Sequence, residues 1–79
     1  MKREEIFEKL NEIFREVFED DSIEVGETTS AADIEDWDSL THITLISEVE
    51  DEFDIKFSMK DVIGMKNVGE MVDIIMEDK

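Results

Sequence analysis

Apolar residues recur at intervals of three and four positions along most of this chain, which is the spacing of one face of an α-helix. The spacing predicts one amphipathic helix over residues 3–18 and a second from Ser39 to Phe53. Proline is absent and strand signals are weak, so little competes with helix formation. The inward face of the first helix is formed by Ile6, Phe7, Leu10, Ile13, Phe14, Val17 and Phe18, and that of the second by His42, Leu45, Ile46, Val49 and Phe53.

Two shorter helices are predicted in the last third of the chain. Ser58 and Asp61 have the spacing of a capping box, which opens a short third helix that Gly64 can end. Asn67, followed three residues later by Glu70, can cap a last helix. The apolar residues that this last helix turns inward are Val68, Met71, Val72 and Ile75.

Residues 19–37 show no sustained periodicity and are expected to form a long connection, anchored in the core by Ile23, Val25 and Ile34. The length of 79 residues and the hydrophobic content of 41% indicate one small globular domain, residues 1–79. We therefore predict an all-α fold, a four-helix bundle with a long first loop and a short third helix.

Negative charge dominates the composition. The formal net charge is −16, and residues 16–55 contain no Lys or Arg but fifteen acidic side chains. Such a surface repels nucleic acid and anionic membranes, and it attracts basic protein surfaces and cations. No apolar run approaches the roughly 20 residues of a membrane span, and the charged N-terminus is unlike a signal peptide. We expect a cytoplasmic protein with no membrane span and no nucleic acid partner.

Metal sites and intrinsic catalysis find little support in the sequence. An EF-hand loop beginning at Asp20 would place Val25 and Ala31 where glycine and glutamate are required. One histidine and no cysteine do not suffice for a zinc site. Nucleophilic catalysis at Ser39 would need His42 as its base, three residues along the same helix. Because His42 falls on the apolar face, we interpret it as a partly buried structural histidine and predict that the protein is not an enzyme.

A short motif gives the functional prediction. Asp38-Ser39-Leu40 opens the second helix, and the sequence EVEDEFDIKF at residues 48–57 closes it. Together with the acidic balance, the size and the order of the helices, this pattern resembles the acyl carrier protein family over essentially the whole chain.

The resemblance implies that Ser39 receives 4′-phosphopantetheine from coenzyme A, with a phosphopantetheinyl transferase supplying the base and the Mg²⁺. The arm then carries acyl intermediates as thioesters between acyl-loading and acyl-processing enzymes with basic docking surfaces. Asp38 is expected to cap the helix, and the positive end of the helix dipole favours the incoming phosphate. We expect the carrier to be a monomer.

A partner surface is predicted beside the attachment serine. On a helical wheel, a strip that points away from the bundle is formed by Leu40, Ile43 and Ser47, and it is flanked by Glu50 and Asp51. In the resembled family, the matching strip meets the transferase and the acyl-handling enzymes. An apolar centre with an acidic rim suits a basic partner, because the acids steer its approach and the apolar residues supply desolvated contact.

The neighbours of the motif favour a specialised biosynthetic pathway. Carriers of general fatty acid synthesis commonly have a glycine and a small residue before Asp-Ser-Leu and acids just after it. Here Asp36 and Trp37 precede the motif, and Thr41 and Thr44 follow it. Polyketide, aminoacyl, lipid or polysaccharide decoration would each fit. Two alternatives remain open: an unmodified acidic helical interaction module that binds a basic protein partner, and a cation-responsive helical protein.

Overall fold

A computed structural model describes residues 2–78, and in them the chain forms four α-helices and one 3₁₀ turn. The predicted all-α bundle, with a long first loop and a short third helix, is confirmed. Met1 and Lys79, the ends of the predicted domain, lie outside the described residues. The helices are α1 (Arg3–Val17), α2 (Ser39–Phe53), α3 (Met59–Gly64) and α4 (Val68–Asp78), and the 3₁₀ turn is Ala31–Asp33.

One apolar core holds the three long helices together. α1 packs against α2 and against α4. Phe14 of α1 is fully buried, and its ring meets the indole of Trp37 edge-on, with centroids 5.2 Å apart. The buried apolar residues include all the predicted inward residues of α4. The buried apolar residues are Ile6, Leu10, Ile13, Phe14, Phe18, Ile23, Val25, Leu45, Ile46, Val49, Phe53, Ile55, Val68, Met71, Val72 and Ile75.

The helix ends follow local capping chemistry. α2 has the predicted bounds, and its C-cap, Asp54, takes a left-handed conformation with φ 54°. The cap predicted for α3 is present, because Ser58 Oγ accepts the Asp61 N–H at 3.1 Å. For α4, Asn67 Oδ1 accepts the Glu70 N–H at 2.9 Å. Gly64 is the last residue of α3, as predicted.

α1 ends one residue earlier than the sequence predicts. The structure ends the helix at Val17 and makes Phe18 its C-cap. Glu19 then has a positive φ of 51°, which takes the chain out of the right-handed helical region. Phe18 remains buried in the core, so the apolar pattern that suggested a longer helix reflects packing just beyond its end.

The long loop between α1 and α2 is fixed by side chains of α1. Asn11 Oδ1 accepts the Val25 N–H at 2.6 Å, and Arg15 Nε donates to the Ile23 carbonyl at 2.7 Å. Of the three predicted anchors, Ile23 and Val25 are buried and Ile34 is half-buried against the core. The loop therefore brings its last residues to a defined position at the start of α2.

Arg3 ties three parts of the fold together. Its Nε donates to Glu27 Oε2 in the loop at 2.6 Å, and its Nη1 donates to Asp73 Oδ1 of α4 at 2.8 Å. These hydrogen bonds raise the pKa of Arg3, and the bond from Arg3 lowers the pKa of Glu27. The Gly69 N–H also donates to the Glu27 carbonyl, at 3.0 Å. The N-terminal end of α4 thus lies directly against the loop.

Gly69→Ala is expected to destabilise the fold, because this backbone contact leaves no room for a side chain. A Cβ at position 69 would lie 2.5 Å from the Glu27 carbonyl oxygen, and a backbone atom cannot swing aside. Overpacking of this kind costs about 1–3 kcal/mol. Urea unfolding measures the loss. Gly64→Ala is the matched control, since a Cβ there meets nothing within 4 Å and the helix would gain from alanine. Equal effects of the two substitutions would contradict the close approach.

Candidate functional site

The start of α2 is built by a reciprocal cap. Asp38 Oδ1 accepts the N–H groups of Leu40 and Thr41, each at 3.0 Å, and the Asp38 N–H donates to Thr41 Oγ1 at 2.8 Å. Asp38 is therefore the N-cap that the sequence predicts. The backbone hydrogen bond from Thr41 is the main cause that lowers the pKa of Asp38, so the cap is ionised at neutral pH.

Ser39 is the first residue of α2 and is exposed to solvent. The nearby histidine is engaged elsewhere: Trp37 Nε1 donates to His42 Nδ1 at 3.0 Å, and His42 Nε2 lies 3.3 Å from the Val62 carbonyl oxygen. Because Nδ1 accepts a hydrogen bond, the ring proton is assigned to Nε2, which faces that carbonyl. Both ring nitrogens thus have partners other than Ser39. His42 is half-buried and links elements of the fold, as predicted for a structural histidine.

A groove of about 410 Å³ opens beside Ser39, between the start of α2 and α3. Its walls are mostly apolar, and the stacked rings of Trp37 and His42, inclined by 27°, form part of them. The lining residues are Ala31, Trp37, Asp38, Ser39, His42, Val62, Ile63 and Met65. A flexible group attached to Ser39 would therefore have an apolar surface directly alongside.

Large apolar side chains are exposed on α2 and α3, the two helices that contribute residues to this groove. In α2, Leu40 is 76% exposed and Ile43 is 65% exposed, so both point away from the bundle as the helical wheel predicts. In α3, Met59 is 76% exposed and Ile63 is 77% exposed. We refer to these four residues as the exposed apolar surface. Its α3 half was not predicted from the sequence, although the spacing of four residues between Met59 and Ile63 puts both on one side of a helix.

The polar residues of the predicted strip differ in their exposure to solvent. Ser47 and Asp51 are exposed, as expected for a rim. Glu50 is half-buried instead, and its Oε2 accepts the Phe57 N–H at 2.7 Å. The carboxylate of Glu50 therefore helps to fix the segment that follows α2, a role that the helical wheel did not reveal because its partner lies beyond the helix.

The acidic loop adopts a local turn. Asp20 Oδ1 accepts hydrogen bonds from the Ser22 N–H at 3.0 Å and from Ser22 Oγ at 2.6 Å, and these bonds lower the pKa of Asp20. Across the described part of the chain, no cluster of three or more potential metal ligands is found. Within residues 2–78, no helix has both the length and the apolar character to cross a membrane.

The chain is similar to known proteins both in sequence and in fold. A family model described as a phosphopantetheine attachment site matches residues 8–75. An acyl carrier protein from Streptococcus thermophilus is 39% identical over 72 residues, which cover 91% of this chain and 93% of that protein. The chain belongs to the acyl carrier protein family. It carries acyl groups on a covalently attached 4′-phosphopantetheine, and its partners include a phosphopantetheinyl transferase and acyl-processing enzymes.

Two further relatives extend the comparison. The meromycolate extension acyl carrier protein of Mycolicibacterium smegmatis is 33% identical over 75 residues, which cover 95% of this chain and 76% of that protein. The solution structure of a holo acyl carrier protein from Geobacter metallireducens superposes with a TM-score of 0.86 at 43% identity. That match covers 91% of this chain and 83% of the other. The bundle described above is therefore also the fold of that holo acyl carrier protein.

The residues at the start of α2 fit a phosphopantetheine group. The exposed hydroxyl of Ser39 offers an attachment atom that no capping bond requires. The positive end of the α2 dipole favours a phosphodiester at this place. The apolar groove could hold the pantetheine chain close to the protein, while the thiol at the end of the arm supplies the thioester chemistry.

Proposed function

We propose that Ser39 is the residue to which 4′-phosphopantetheine is attached. This proposal rests on the hydrogen bonds that the neighbours of Ser39 make with other groups. Asp38 caps the helix, and both ring nitrogens of His42 have partners other than Ser39. Ser39 is thus exposed at a helix start without a base of its own. A second protein must activate the hydroxyl, which is the situation of a serine modified by a transferase.

The attachment exchanges the phosphoanhydride bond of coenzyme A for a phosphate ester bond on Ser39. Ser39 Oγ attacks the phosphorus nearest the pantetheine in coenzyme A, and an Oγ–P bond forms. The bond from that phosphorus to the bridging pyrophosphate oxygen breaks, so that adenosine 3′,5′-bisphosphate leaves. The transferase takes up the proton of the hydroxyl and holds the Mg²⁺ that neutralises the phosphates. The carrier contributes only the positioned hydroxyl and the favourable helix dipole.

In this proposal the protein is a substrate and shuttle rather than a catalyst. We also propose that it works as a single domain and a monomer, that it is located in the cytoplasm, and that it has no nucleic acid partner. A specialised pathway is favoured over general fatty acid synthesis. Trp37 and His42 flank the attachment serine and form a hydrogen-bonded pair there, which gives this carrier a distinctive aromatic surface beside its cargo.

Co-expression with a promiscuous phosphopantetheinyl transferase tests the function. A carrier gains the mass of one phosphopantetheine per chain, which intact-mass measurement detects. The alternative, an unmodified acidic helical module that binds a basic protein, predicts no gain. The same experiment with a well-characterised carrier as the substrate shows that the transferase is active.

We further propose that the exposed apolar surface is the centre of the partner interface, with Ser47, Glu50 and Asp51 at its rim. Ile63 of α3 lines the groove that opens at Ser39, and Leu40, Ile43 and Met59 are exposed on the two helices that contribute to that groove. Four large apolar side chains exposed on the two helices that border the attachment point are more than the scattered exposure of an ordinary surface. The acids around them would steer partners with basic docking surfaces.

Ile43→Asp is expected to weaken binding of the transferase by tenfold or more without unfolding the domain. The side chain is 65% exposed, and surface substitutions usually change stability by less than about 0.5 kcal/mol. Truncating a residue at the energetic centre of an interface costs about 2 kcal/mol or more of binding free energy, which exceeds the roughly 1.4 kcal/mol of a tenfold change in affinity, and a buried charge adds to that cost. Surface plasmon resonance measures affinity, and circular dichroism measures stability.

Two control variants separate the interface from the core and from charge alone. Ile46→Asp, at a buried position, should unfold the domain. Met76→Asp adds the same charge on α4, where Met76 is 41% exposed, and should leave affinity unchanged. The proposed interface is wrong if Met76→Asp weakens binding as much as Ile43→Asp, or if Ile43→Asp unfolds the domain.

A further inference from the structure

The charge of the chain changes sign between α2 and α3. Residues 16–55, which contain α2, have fifteen acidic side chains and no Lys or Arg. Residues 56–66, which contain α3, have three lysines and one acid, although the whole chain has 24 acidic and only 8 basic side chains. The charged residues of this short segment are Lys56, Lys60, Asp61 and Lys66. The two helices that border the groove therefore belong to segments of opposite charge.

Lys60 lies beside the exposed apolar residues of α3. At about 100° per residue, Met59 and Ile63 share one side of this helix, with Val62 on one flank and Lys60 on the other. Val62 lines the groove together with His42 of α2. Lys60 instead lines a recess on the side of α3 that faces α4. Lys60 is therefore the rim of the exposed apolar surface on the side away from α2.

The opposite rim, on α2, is acidic. On a helical wheel of α2, Asp51 and Glu48 follow Leu40 on the side that points away from the groove. Both acids are exposed, so their carboxylates are accessible to a partner. Across the exposed apolar surface, a partner would thus meet negative charge on α2, an apolar centre and positive charge at Lys60 on α3.

The fold does not account for the positive charge of Lys60. The residue is exposed, and the ion pairs found within residues 2–78 do not include it. Asp61 and Glu70 line the same recess, but Asp61 Oδ2 accepts the Ser58 N–H at 3.3 Å. Lys60 is also the second residue of α3, where the helix dipole favours an acid over a base. Its ammonium group is therefore available to a partner.

We propose that Lys60 is a specificity-determining residue, which selects an acyl-processing enzyme whose docking face has a basic area that meets α2 and an acidic area that meets α3. The two rims of the carrier complement such a face on either side of an apolar centre. A docking face that is basic throughout would be attracted by Asp51 and repelled by Lys60, so it fits less well. This role of Lys60 rests on the proposed carrier function. The division of charge does not, and it can be measured on the unmodified protein.

The first test maps the local electrostatic potential. Cationic, neutral and anionic nitroxides of similar size are added in turn, and the paramagnetic relaxation of each backbone amide is measured. The neutral nitroxide corrects for differences in exposure. We expect the ratio of cationic to anionic relaxation to be about threefold lower at residues 59–63 than at residues 47–51, the order expected from one nearby unit charge. In Lys60→Glu this difference should disappear. Equal ratios at the two helices of the unaltered protein would overturn the proposal.

A second test uses a phosphopantetheinyl transferase of known structure whose docking face is basic throughout. Lys60→Glu should raise kcat/KM for modification about threefold, the order expected for one exposed charge pair, and high salt should remove the gain. Lys2→Glu is the matched control, because it makes the same change of charge at the end of α1 opposite to Phe14, which contacts Trp37 next to Ser39. A fall in kcat/KM for Lys60→Glu, or a rise no larger than that of Lys2→Glu, would overturn the proposal.

A third test gives the same transferase an acidic area. A transferase lysine that an amine-reactive reagent cross-links to Lys60 is replaced by Glu. This altered enzyme should prefer the unaltered carrier over Lys60→Glu by about threefold in kcat/KM, which reverses the preference of the original enzyme. An unchanged preference, or the absence of any cross-link to Lys60, would overturn the proposal. If no variant is modified by an enzyme that modifies a known carrier, the carrier proposal fails, while the nitroxide map still decides whether the charge is divided.

Discussion

Replacing Ser39 with alanine should abolish modification by a phosphopantetheinyl transferase and leave the fold intact. The loss is complete because the substitution removes the only atom that the proposal allows to bond with the phosphate. The fold survives because the hydroxyl is exposed and the helix is capped by Asp38 and Thr41. Changes at such surface positions usually alter stability by less than about 0.5 kcal/mol. Intact-mass measurement checks the loss of modification, and thermal melting followed by circular dichroism checks that the fold is retained.

Ser22→Ala is the matched control for that experiment. It removes a hydroxyl of equal size from the long loop, where Ser22 Oγ only donates to Asp20. This variant should still gain one phosphopantetheine. An arm on Ser39→Ala would show that a different residue is the attachment site, whereas a marked loss of helicity in Ser39→Ala would mean that the hydroxyl has a structural role.

Added salt is expected to raise the melting temperature of the domain by about 4–8 °C, the shift that about 1 kcal/mol produces in a chain of this size. The chain has 24 acidic and 8 basic side chains, and the ion pairs found in the described residues are Arg3–Glu27, Arg3–Asp73 and Lys9–Glu52. Most carboxylates therefore repel one another in the folded state. Salt shortens the range of this repulsion to a Debye length of about 8 Å at physiological ionic strength.

Millimolar Mg²⁺ should act more strongly than a monovalent salt of the same ionic strength, because a divalent cation can bridge neighbouring carboxylates. Differential scanning calorimetry over a NaCl series and a MgCl₂ series makes this comparison. An equal weight of sucrose controls for general stabilisation by cosolutes. A melting temperature that stays constant or falls in both salt series would contradict the repulsion argument.

The helices were predictable because their signals are local in sequence. The bounds of α2 follow from an apolar period that starts directly after a good N-cap, and the caps at Ser58 and Asn67 are read from residues three positions apart. The position of Ser39 at the start of α2 follows from the same local pattern. The exposure of Leu40 and Ile43 follows from helix geometry alone.

The features that the sequence did not reveal depend on residues far apart in the chain. Arg3 forms a hydrogen bond with Asp73, which is 70 residues later in the sequence. Position 69 has no room for a side chain because the backbone of Glu27 lies against it. Glu50 accepts a bond from a residue beyond the end of its helix. Local spacing carries no information on such pairings. The Trp37–His42 pair is close in sequence, yet its hydrogen bond depends on how the loop enters α2, which is set by the packing of Trp37 on α1.

The location of the arm on the modified protein is the most direct test that Ser39 is the attachment site. The protein is isolated after co-expression with the transferase, digested, and fragmented by a method that keeps the phosphodiester intact. We expect the fragment ions to place one phosphopantetheine on Ser39 and to show that the other hydroxyl residues of α2, Thr41, Thr44 and Ser47, are unmodified. A group found on any of those three residues, or a chain that remains unmodified beside an active control carrier, would contradict it.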